Sequence, residues 1–483
     1  MSWEVVIGIE THVQLKTRNK IFSRASVNNT SAPNTAVDFV DIGLPGTLPI
    51  FNPEVIECAI KFGSAINAKI NTNSYFERKN YFYPDLSKGY QISQFAVPIV
   101  EKGELFLYKN FEKKIKITRA HLEEDAGKLL HDSIPQASAV DYNRAGTPLL
   151  EIVTEPELYS ADEAVEYAKT LHELVIWLGI SNGNLQEGNF RCDANVSVKK
   201  TGSNTLGTRR EIKNLNSFRF LYEAIEYEKK WQINQLESGN KIIQSTVLYD
   251  SQKKITKQMR SKEDSHDYRY FPDPDLVPIF IETSTIESHL NVNSFIPQNK
   301  YECYLNKYKL RKGEALSLIE SLGKAKLFDD TISHYVKKIN NEENFYKNVF
   351  NLINSDLAKL INKNSTPYEK CPISSNDIFT ICYELTLKNI NSNIAKSLVN
   401  ELWSGNKKLE SLLKDKTKNL IKDASAITDL LNDIIKTYPD ECSQYKGGKE
   451  KALNFLVGKV MQKSKGSINP ADAQKKLKEL LSG

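Results

Sequence analysis

Residues 3–15 of the chain, WEVVIGIETHVQL, alternate between apolar and other side chains almost without a break. Successive side chains of a β-strand point to opposite faces of its sheet, so this alternation predicts a strand with one buried face. The residues predicted to face a core are Trp3, Val5, Ile7, Ile9, Val13 and Leu15. The opposite face then carries Glu10, His12 and Gln14, which places a carboxylate, an imidazole and an amide side by side.

Three further segments combine a strand pattern with charged side chains. The segment NFRCDANVSV predicts a core face of Phe190, Cys192, Ala194, Val196 and Val198 and a polar face of Arg191, Asp193, Asn195 and Ser197. The segment RREIKNLNSF places Glu211 and Lys213 on one face just before a helix. The segment HLEEDAGK supplies Glu123, Glu124 and Asp125. Carboxylates and cations therefore recur where a plain amphipathic sheet would show Thr, Ser and Lys.

Acidic side chains gathered on one sheet face need a compensating cation, because like charges held together away from bulk water are costly. Magnesium is the natural candidate: it prefers carboxylate oxygens, and nearby Arg and Lys can hold phosphate oxygens, as phosphoryl transfer from ATP requires. His12 is then a ligand or a donor to a ligand. For a single strand, a solvated face with salt bridges is the simpler interpretation. Four such faces favour a site.

The pattern of elements predicts an α+β fold followed by helices. Up to about residue 290, strand-like runs dominate and helices are few, such as the one predicted after the Ser160 to Glu163 capping box. Beyond it the chain is rich in Lys, Asn, Leu and Ile at helical spacing. We predict a domain at 1–293 with a mainly antiparallel sheet, an all-α domain at 294–405 and a small all-α tail at 406–483.

Several protein classes are disfavoured. No apolar run approaches the ~20 residues of a membrane span, and the first strand begins too early for a targeting segment, so we expect a cytoplasmic protein. The six cysteines are scattered without a C-x-x-C pair, which argues against a disulfide framework or a zinc ribbon. The chain has no P-loop, no G-x-G-x-x-G after a strand and no protein-kinase motifs. A nucleotide would therefore lie on a sheet.

The excess positive charge is confined to the end of the chain. Residues 446–483 contain nine lysines against three acidic residues, whereas the rest of the chain has 56 basic and 57 acidic residues. A local basic patch is expected where a protein contacts a phosphate backbone, although a lysine-rich helix is more often a solvated face. Apolar stripes predict two packed helices here, comprising Leu453, Leu456, Val457, Val460 and Met461, and after Asn469–Pro470 Ala473, Leu477, Leu480 and Leu481, with Gly466 as a cap between them.

The longer motifs resemble one protein family in order and spacing. They are VIGIETHVQL, RKNYFYPDLSKGYQISQ, HLEEDAGK, DYNRAGTPLLEIVTEP, RCDANVSV, EIKNLNSF, MRSKEDSHDYRYFPDPDL and, in the tail, FLVGKVMQKSKGSINP. Together they resemble the B subunit of the bacterial aspartyl/glutamyl-tRNA(Asn/Gln) amidotransferases. The resemblance extends over essentially the whole chain and is weakest between about residues 295 and 440.

This resemblance implies a function in translation. Family members phosphorylate the side-chain carboxylate of misacylated Glu-tRNA(Gln) or Asp-tRNA(Asn) with ATP, and ammonia then displaces the phosphate. The catalytic domain of the family is similar in fold to glutamine synthetase. The implied partners are an amidase-type A subunit, which releases ammonia from glutamine, and a small C subunit in a heterotrimer. The implied cofactors are ATP and Mg²⁺.

The resemblance also implies roles for individual residues. Those near magnesium are Glu10, His12, Glu124 and Glu211, with Glu123, Asp125 and Glu151 as alternative or supporting ligands. Those at the phosphate or aminoacyl end are Arg191, Asp193, Lys213, Asn143, Arg144, Arg260 and Arg269, and those that guide substrate or ammonia are Lys79, Tyr81, Tyr83 and Lys88. In the tail, Lys451, Lys459, Lys463, Lys465, Lys475, Lys476 and Lys478 would contact the tRNA backbone.

One stretch departs from the family pattern. Many members carry a cysteine pair before the GLPG turn, whereas this chain reads NTAVDFVDIGLPGTLP. We therefore expect no zinc there. A second interpretation stays open, in which the chain is a non-catalytic tRNA-binding scaffold with structural acids. The sequence also leaves open whether Gln-tRNA(Gln), Asn-tRNA(Asn) or both are formed.

Overall fold

The computed structural model describes residues 2–27, 32–134, 136–261, 267–289, 295–334, 342–405, 408–417, 424–464, 468 and 470–482. The chain divides into two compact units, Met1–Lys300 and Tyr301–Gly483. The predicted boundary at 293 lies close to this division, and the predicted boundary at 405 stays a prediction. Within the described ranges, no helix combines the length and apolar character needed to cross a membrane.

The first unit is built on β-strands. They are β1 (Trp3–Gln14), β2 (Lys69–Ile70), β3 (Asn73–Ser74), β4 (Glu77–Asn80), β5 (Tyr90–Ser93), β6 (Val100–Leu107), β7 (Lys113–Glu124), β8 (Lys128–Ile134), β9 (Ala137–Asp141), β10 (Pro148–Thr154), β11 (Phe190–Lys200), β12 (Arg210–Leu215), β13 (Ser245–Asp250), β14 (Ile255–Ser261), β15 (Phe271–Pro272) and β16 (Ile279–Phe280). Nine of them form one sheet in the order β14-β13-β12-β11-β1-β10-β7-β6-β2. Neighbouring strands within this sheet run antiparallel, except for β12 and β13, which run parallel.

Strand β1 lies in the middle of this sheet, between β10 and β11. Val5, Ile7, Ile9, Val13 and Leu15 are buried in the core of the unit, with Trp3 packed against it. The predicted core face of β11, from Phe190 to Val198, lies in the same core. The face assignments of both strands are confirmed, because a strand that separates a core from a polar face has only one consistent register.

Helices cover the apolar face of the sheet. Those of the first unit are α1 (Glu54–Ala65), α2 (Ala161–Trp177), α3 (Phe218–Glu237), α4 (Thr283–His289) and the start of α5 (Pro297–Asn306). Helix α2 begins where the capping box predicts it, because the Ser160 hydroxyl accepts from the Glu163 amide and the Glu163 carboxylate accepts from the Tyr159 amide. Its Ala164, Ala168, Leu171 and Val175 are buried in the core.

Small sheets lie beside the large one. Strands β15, β4 and β5 form a three-stranded sheet. Two further sheets have two strands each, one made of β16 and β3 and the other of β8 and β9. In the three-stranded sheet, β4 carries Lys79 and β15 follows directly on Tyr270. This sheet brings residues 77–93 together with residues 271–272.

The described part of the second unit is helical. Its helices are α6 (Lys312–Ile319), α7 (Leu322–Ser333), α8 (Glu342–Asn351), α9 (Ala358–Lys363), α10 (Ser375–Thr386), α11 (Ser392–Trp403), α12 (Leu409–Thr417), α13 (Ala424–Thr437), α14 (Pro439–Lys446), α15 (Glu450–Lys463) and α16 (Pro470–Ser482), with a π-helical turn at Leu352–Leu357 and a 3₁₀ turn at Tyr368–Lys370. The predicted fold class, an α+β region with a mainly antiparallel sheet followed by helices, is confirmed.

The last helices form a small core of their own. Leu453, Leu456 and Val460 of α15 are buried there, and Val457 packs at its edge. Helix α16 buries Ala473, Leu477 and Leu481, which are spaced at i, i+4 and i+8. Leu480 is 38% exposed, so its assignment to the stripe was wrong: it lies about 100° around the helix from Leu481. Lys465, Gly466 and Asn469 lie outside the described residues.

Candidate active site

The polar face of the large sheet carries a row of charged side chains across five adjacent strands. Register fixes this row, because directly opposed residues of neighbouring strands share a face. His12 lies opposite Arg191 on one side and Glu151 on the other, and Glu151 lies opposite His121. Glu10 lies opposite Asp193. One strand further, Glu211 of β12 lies opposite Asn195.

His12 lies at the centre of the first cluster. Its Nε2 is 3.3 Å from Glu151 Oε2, 3.6 Å from Glu123 Oε1 and 3.7 Å from Glu10 Oε1. Burial disfavours a charged imidazole, but the hydrogen bond and the charge of Glu151 together with Glu123 raise the pKa of His12 to about 9. His12 is therefore positively charged at neutral pH when only protein groups surround it.

The two carboxylates beside His12 respond to their surroundings in opposite ways. Burial, followed by the charge of Glu151, raises the pKa of Glu10 to about 7, against the lowering effect of its cationic neighbours. Burial also acts to raise the pKa of Glu151, but His121 and His12 hold it well below its usual range. Glu10 is therefore partly protonated near neutral pH when only protein groups surround it, whereas Glu151 is ionised.

A second cluster shares Glu151. His121 Nε2 lies 3.5 Å from Glu151 Oε2 and 3.8 Å from Glu123 Oε2. All three side chains are at least nine-tenths buried, and the Ser93 hydroxyl donates to Glu123 Oε2 at 3.4 Å. The other ring nitrogen of His121, Nδ1, has no hydrogen-bond partner among the described residues. The His121 ring therefore points Nε2 at the carboxylates of Glu123 and Glu151.

A third cluster shares Glu10 and extends to β12. It comprises Glu10, Asp193 and Glu211. Lys213 Nζ lies 2.9 Å from Asp193 Oδ2 and 3.0 Å from Glu211 Oε1. Burial would lower the pKa of Lys213, but these two carboxylates raise it above its ordinary value. Lys213 is therefore a fixed positive charge at this end of the row.

These three clusters fit divalent cations. In each of them three ligand atoms lie within 4.8 Å of one another, and most of the atoms are carboxylate oxygens, which Mg²⁺ prefers. Burial, followed by the nearby charge of Glu151, raises the pKa of Glu10, and a bound cation would favour its ionised form. Because Glu10 and Glu151 each belong to two clusters, the clusters form one continuous row.

Two of the predicted acidic ligands have other partners. Glu124 Oε2 accepts from Lys88 Nζ at 2.6 Å and Glu124 Oε1 from the Ile92 amide at 2.9 Å, and burial raises the pKa of Glu124. Asp125 Oδ2 accepts from Arg191 at 2.9 Å and from Gln14 at 3.3 Å. Among the described acids, neither belongs to a cluster, whereas the supporting candidates Glu123 and Glu151 do.

Lys79 faces the row from the three-stranded sheet. Its Nζ lies 4.9 Å from the centroid of the Tyr268 ring and 5.9 Å from that of Tyr81. Burial opposes its charge, but Glu123 and other neighbours raise the pKa of Lys79 above its ordinary value. Tyr83, in contrast, is half exposed. Lys79 and Tyr81 thus border the row, while Lys88 is engaged by Glu124.

The remaining predicted phosphate-end residues lie in several places. The side-chain amide of Asn143 donates to Ala32 and accepts from the Ala36 amide, and Arg144 donates to the carbonyls of Ala126 and Gly127. Both therefore fix loops. Arg269 is exposed and pairs with Asp267 at 3.4 Å. The side chain of Arg260 lies outside the described residues, although its backbone belongs to β14.

Three site residues were missed at the sequence level: His121, Tyr268 and Tyr270. A signal was present for His121, which is two positions before Glu123, whereas Tyr268 and Tyr270 precede β15 and lie outside any strand pattern. Residues two apart in a strand share a face. The period-two rule applied to HLEEDAGK therefore puts His121 and Glu123 on one face and Glu124 on the other, whereas strand pairing decides which of these faces meets His12.

A cavity of about 370 Å³ opens beside the row. Its lining residues are Val6, Gly8, Ile9, Glu10, Val153, Thr154, Pro156, Asn195, Ser197, Leu206, Gly207, Thr208, Arg209 and Gln244. Its volume falls within the range of small-molecule sites. Glu10 belongs both to this lining and to two clusters, so a molecule in the cavity reaches the row. Gly8 contributes no side chain, which keeps the floor open.

Comparisons with known proteins agree over the full length. Residues 5–287 match the family model described as the GatB/GatE catalytic domain, and residues 334–481 match the model described as the GatB domain. The B subunit of the aspartyl/glutamyl-tRNA(Asn/Gln) amidotransferase of Methylobacillus flagellatus is 46% identical over 484 residues, which cover 100% of both chains. The protein of the same name from Dechloromonas aromatica is 47% identical over 487 residues, covering 100% of this chain and 99% of its own.

Proposed function

Because this chain belongs to the family of aspartyl/glutamyl-tRNA(Asn/Gln) amidotransferase B subunits, we propose that its polar sheet face activates and amidates a misacylated tRNA. The side-chain carboxylate of Glu-tRNA(Gln) or Asp-tRNA(Asn) attacks the γ-phosphorus of ATP, and ADP leaves. Ammonia then attacks the acyl carbon, phosphate leaves and one proton is released. A ligase of this kind works in translation, so we place it in the cytoplasm.

The observation that supports this proposal is the row of three carboxylate clusters beside a cavity. Phosphoryl transfer depends on positioning and on charge stabilisation, for which acids, metal ions and fixed cations suffice. Magnesium bound by Glu10, Glu151 and their neighbours would neutralise the transferring phosphate. Burial and the neighbouring Glu151 raise the pKa of Glu10 to about 7, and shifted pKa values of this kind cluster at functional sites.

The cavity, the cations and the aromatic side chains of the site have different roles in this reaction. The cavity lined by Gly8 and Arg209 receives ATP, with the phosphates directed towards Glu10. Lys213 and Arg191 supply positive charge at the edge of the row. Lys79, whose Nζ lies 4.9 Å from the Tyr268 ring centroid and whose charge Glu123 favours, holds the carboxylate of the aminoacyl group near the row. The aromatic side chains around Lys79 exclude water, which protects an acyl phosphate from hydrolysis.

The name of the relatives, which describes one subunit, implies an assembly. We propose that a glutaminase A subunit and a small C subunit complete it and that ammonia reaches the row from the A subunit. Robust glutamine hydrolysis by this chain alone would contradict the proposal that the A subunit supplies the ammonia. Which misacylated tRNA is the cellular substrate depends on the synthetases present in the cell. Amidation assays of the complex with Glu-tRNA(Gln) and with Asp-tRNA(Asn) determine which of them it accepts.

The scaffold alternative makes a different prediction for ATP. We expect the purified complex to hydrolyse ATP only when misacylated tRNA is present, with ammonium chloride replacing glutamine so that the partner's glutaminase reaction is bypassed. Uncharged tRNA and correctly charged Gln-tRNA(Gln) are the matched controls. ATP turnover that is absent, or that is equal with charged and uncharged tRNA, would favour the scaffold.

We further propose that the tail binds the tRNA backbone. Lys451 is exposed on α15, whereas Lys459 lies 5.3 Å from the Phe455 ring centroid and Lys463 is paired with Asp433. Replacing Lys451, Lys459 and Lys463 by Gln should weaken tRNA binding, with each lost phosphate contact making the slope of log affinity against log salt shallower by about 0.7–0.9. The measurement is a filter-binding titration at several salt concentrations.

A matched variant tests where the tRNA is held. Lys312, Lys359 and Lys363 are exposed lysines of α6 and α9, and their replacement by Gln removes the same charge. If this second triple variant changes the slope and the tail variant does not, the tail lysines are a solvated face. The amidation rate at saturating tRNA should stay close to wild type in the tail variant, because the catalytic row is unchanged.

A further inference from the structure

An aromatic wall borders the row of clusters and ends at an exposed ring. The rings of Tyr81 and Tyr268 lie 6.0 Å apart, as do those of Tyr268 and Tyr270. Tyr270 stacks on Phe95 at 4.5 Å with an interplanar angle of 13°. Phe95 itself is 49% exposed. The wall therefore leads from the surroundings of Lys79 to an aromatic side chain that the described residues leave half uncovered.

The exposed ring is held in place by buried polar contacts. The backbone amides of Phe95 and Ala96 donate to Glu77 Oε2 at 2.8 and 2.7 Å, and Glu77 is only 5% exposed. The preceding Gln94 accepts from the Leu122 amide at 3.0 Å, which ties the loop to β7. A buried carboxylate that accepts two amides fixes the loop. The loop that carries Phe95 is therefore fixed in position, although the Phe95 ring is exposed.

The tyrosines opposite Phe95 are fixed in a similar way, by Asn80 of β4. The backbone amide of Asn80 donates to the Tyr268 carbonyl at 2.9 Å, and its side chain donates to the same carbonyl at 3.1 Å. The side chain of Asn80 also donates to the Arg269 carbonyl at 3.0 Å. Both halves of the stacked pair are therefore anchored to the three-stranded sheet.

Arg119 completes this surface. Its Cζ lies 5.5 Å from the Phe95 ring centroid, and it makes no ion pair with any carboxylate in the part of the chain that the structure describes. Arg119 belongs to β7 two positions before His121, so both side chains are on the same sheet face, about 7 Å apart along the strand. A guanidinium that pairs with no carboxylate of the described residues and lies beside an exposed aromatic ring suits a nucleotide, because the ring stacks on a base and the cation meets a phosphate.

We propose that Phe95, stacked on Tyr270 and flanked by Arg119, is a stacking platform for the 3′-terminal base of the misacylated tRNA. This inference rests on the proposed function. The aminoacyl group is esterified to the terminal ribose, so the base must lie close to the row when the side-chain carboxylate reaches it. The platform begins next to Tyr270 and Lys79 and ends outside the row, which is the direction in which the ribose and base must extend.

Two other occupants would give different results. ATP also carries a base, but the cavity beside Glu10 already provides a volume for it. A partner subunit could cover an exposed ring, but a fixed ring next to Arg119, which has no ion pair among the described residues, favours a nucleotide over an apolar protein surface. The test separates these three possibilities.

The experiment is a double cycle on the assembled complex. Wild type and Phe95→Ala are each assayed for amidation with misacylated tRNA that ends in an intact adenosine or in a terminal ribose without a base. We expect Phe95→Ala to raise the KM for intact tRNA about 10-fold, as loss of one base stack does. Removing the base should raise the wild-type KM similarly and leave the KM of the variant nearly unchanged.

Further variants decide between the outcomes. Phe95→Trp should retain a KM near wild type, Arg119→Gln should raise it, and Phe280→Ala, which removes an exposed aromatic ring of β16, should have no effect. If the effects of Phe95→Ala and base removal simply multiply, the platform does not contact the base and the inference is overturned. A raised KM for ATP alone, or loss of partner subunits during purification, overturns it as well. If no tRNA is amidated even by the wild type, the proposed function fails instead.

Discussion

Replacing Glu10 by glutamine is expected to remove amidation activity while it makes the metal-free chain more stable. Glu10 belongs to two of the three clusters, so its loss should reduce activity by at least about 100-fold. Its pKa of about 7 in the folded chain exceeds the ordinary value of 4.5. The ionised carboxylate therefore destabilises the fold progressively above that ordinary value, and the full penalty is reached above the folded pKa.

The sign of the stability change can be followed with pH. In the absence of divalent cations, Glu10→Gln should unfold at a higher temperature than wild type at about pH 8, and the difference should disappear near pH 4, where Glu10 is protonated in both states. Added Mg²⁺ should stabilise wild type more than the variant, because binding to the folded state raises its stability. Thermal unfolding followed by circular dichroism at both pH values measures this.

Asp250→Asn is the matched control. The hydrogen bond from Lys257 holds the pKa of Asp250 at about 2, so its ionised form stabilises the fold at pH values above the ordinary pKa. The control should therefore lose a little stability near neutral pH and retain full activity. Near-normal turnover of Glu10→Gln at low magnesium would contradict the proposed ligand role, and a lower unfolding temperature of the variant at pH 8 without metal would contradict the raised pKa of Glu10.

Gly8→Leu is expected to reduce ATP-dependent amidation by at least about 100-fold through loss of ATP binding. Gly8 shares the polar face of β1 with Glu10 and lines the cavity. A Cβ there would lie 3.8 Å from the nearest atom of Pro156, which is ordinary contact. The fold should therefore accept a side chain, while a longer one fills the space that we assign to ATP.

The smaller Gly8→Ala variant is the internal control. It should fold normally and raise the KM for ATP only slightly, and Gly8→Leu should raise it far more or leave no measurable binding by calorimetry. The affinity for misacylated tRNA should stay close to wild type in both variants. If Gly8→Leu binds ATP as wild type does, the nucleotide lies elsewhere on the sheet face.

The sequence was most informative where a local pattern has one consistent solution. The period-two alternation of β1 and β11 gave their buried and polar faces, because shifting either strand by one position would expose its entire apolar set. The Ser160 to Glu163 capping box gave the start of α2 for a similar reason, since its contacts lie within one helical turn. The long motifs gave the family directly, and the full-length relatives agree with it.

The choice among neighbouring acids could not be made in the same way. Glu123, Glu124 and Asp125 are consecutive, and which of them meets His12 depends on how β7 pairs with β10 and β10 with β1. The pairing of β10 with β1 joins residues more than a hundred positions apart. Glu123 faces His12, whereas Lys88, from the segment between β4 and β5, pairs with Glu124.

The sequence by itself determined the family, the fold class and the faces of the two central strands, because each follows from motifs or from a short-range period. Only the tertiary structure decided that His121 joins the row, that Asn143 and Arg144 fix loops, and that Phe95 stacks on Tyr270 beside Arg119. These contacts bring together segments from different strands and loops. Their geometry is set by sheet order and register, which long-range packing selects and no local pattern encodes.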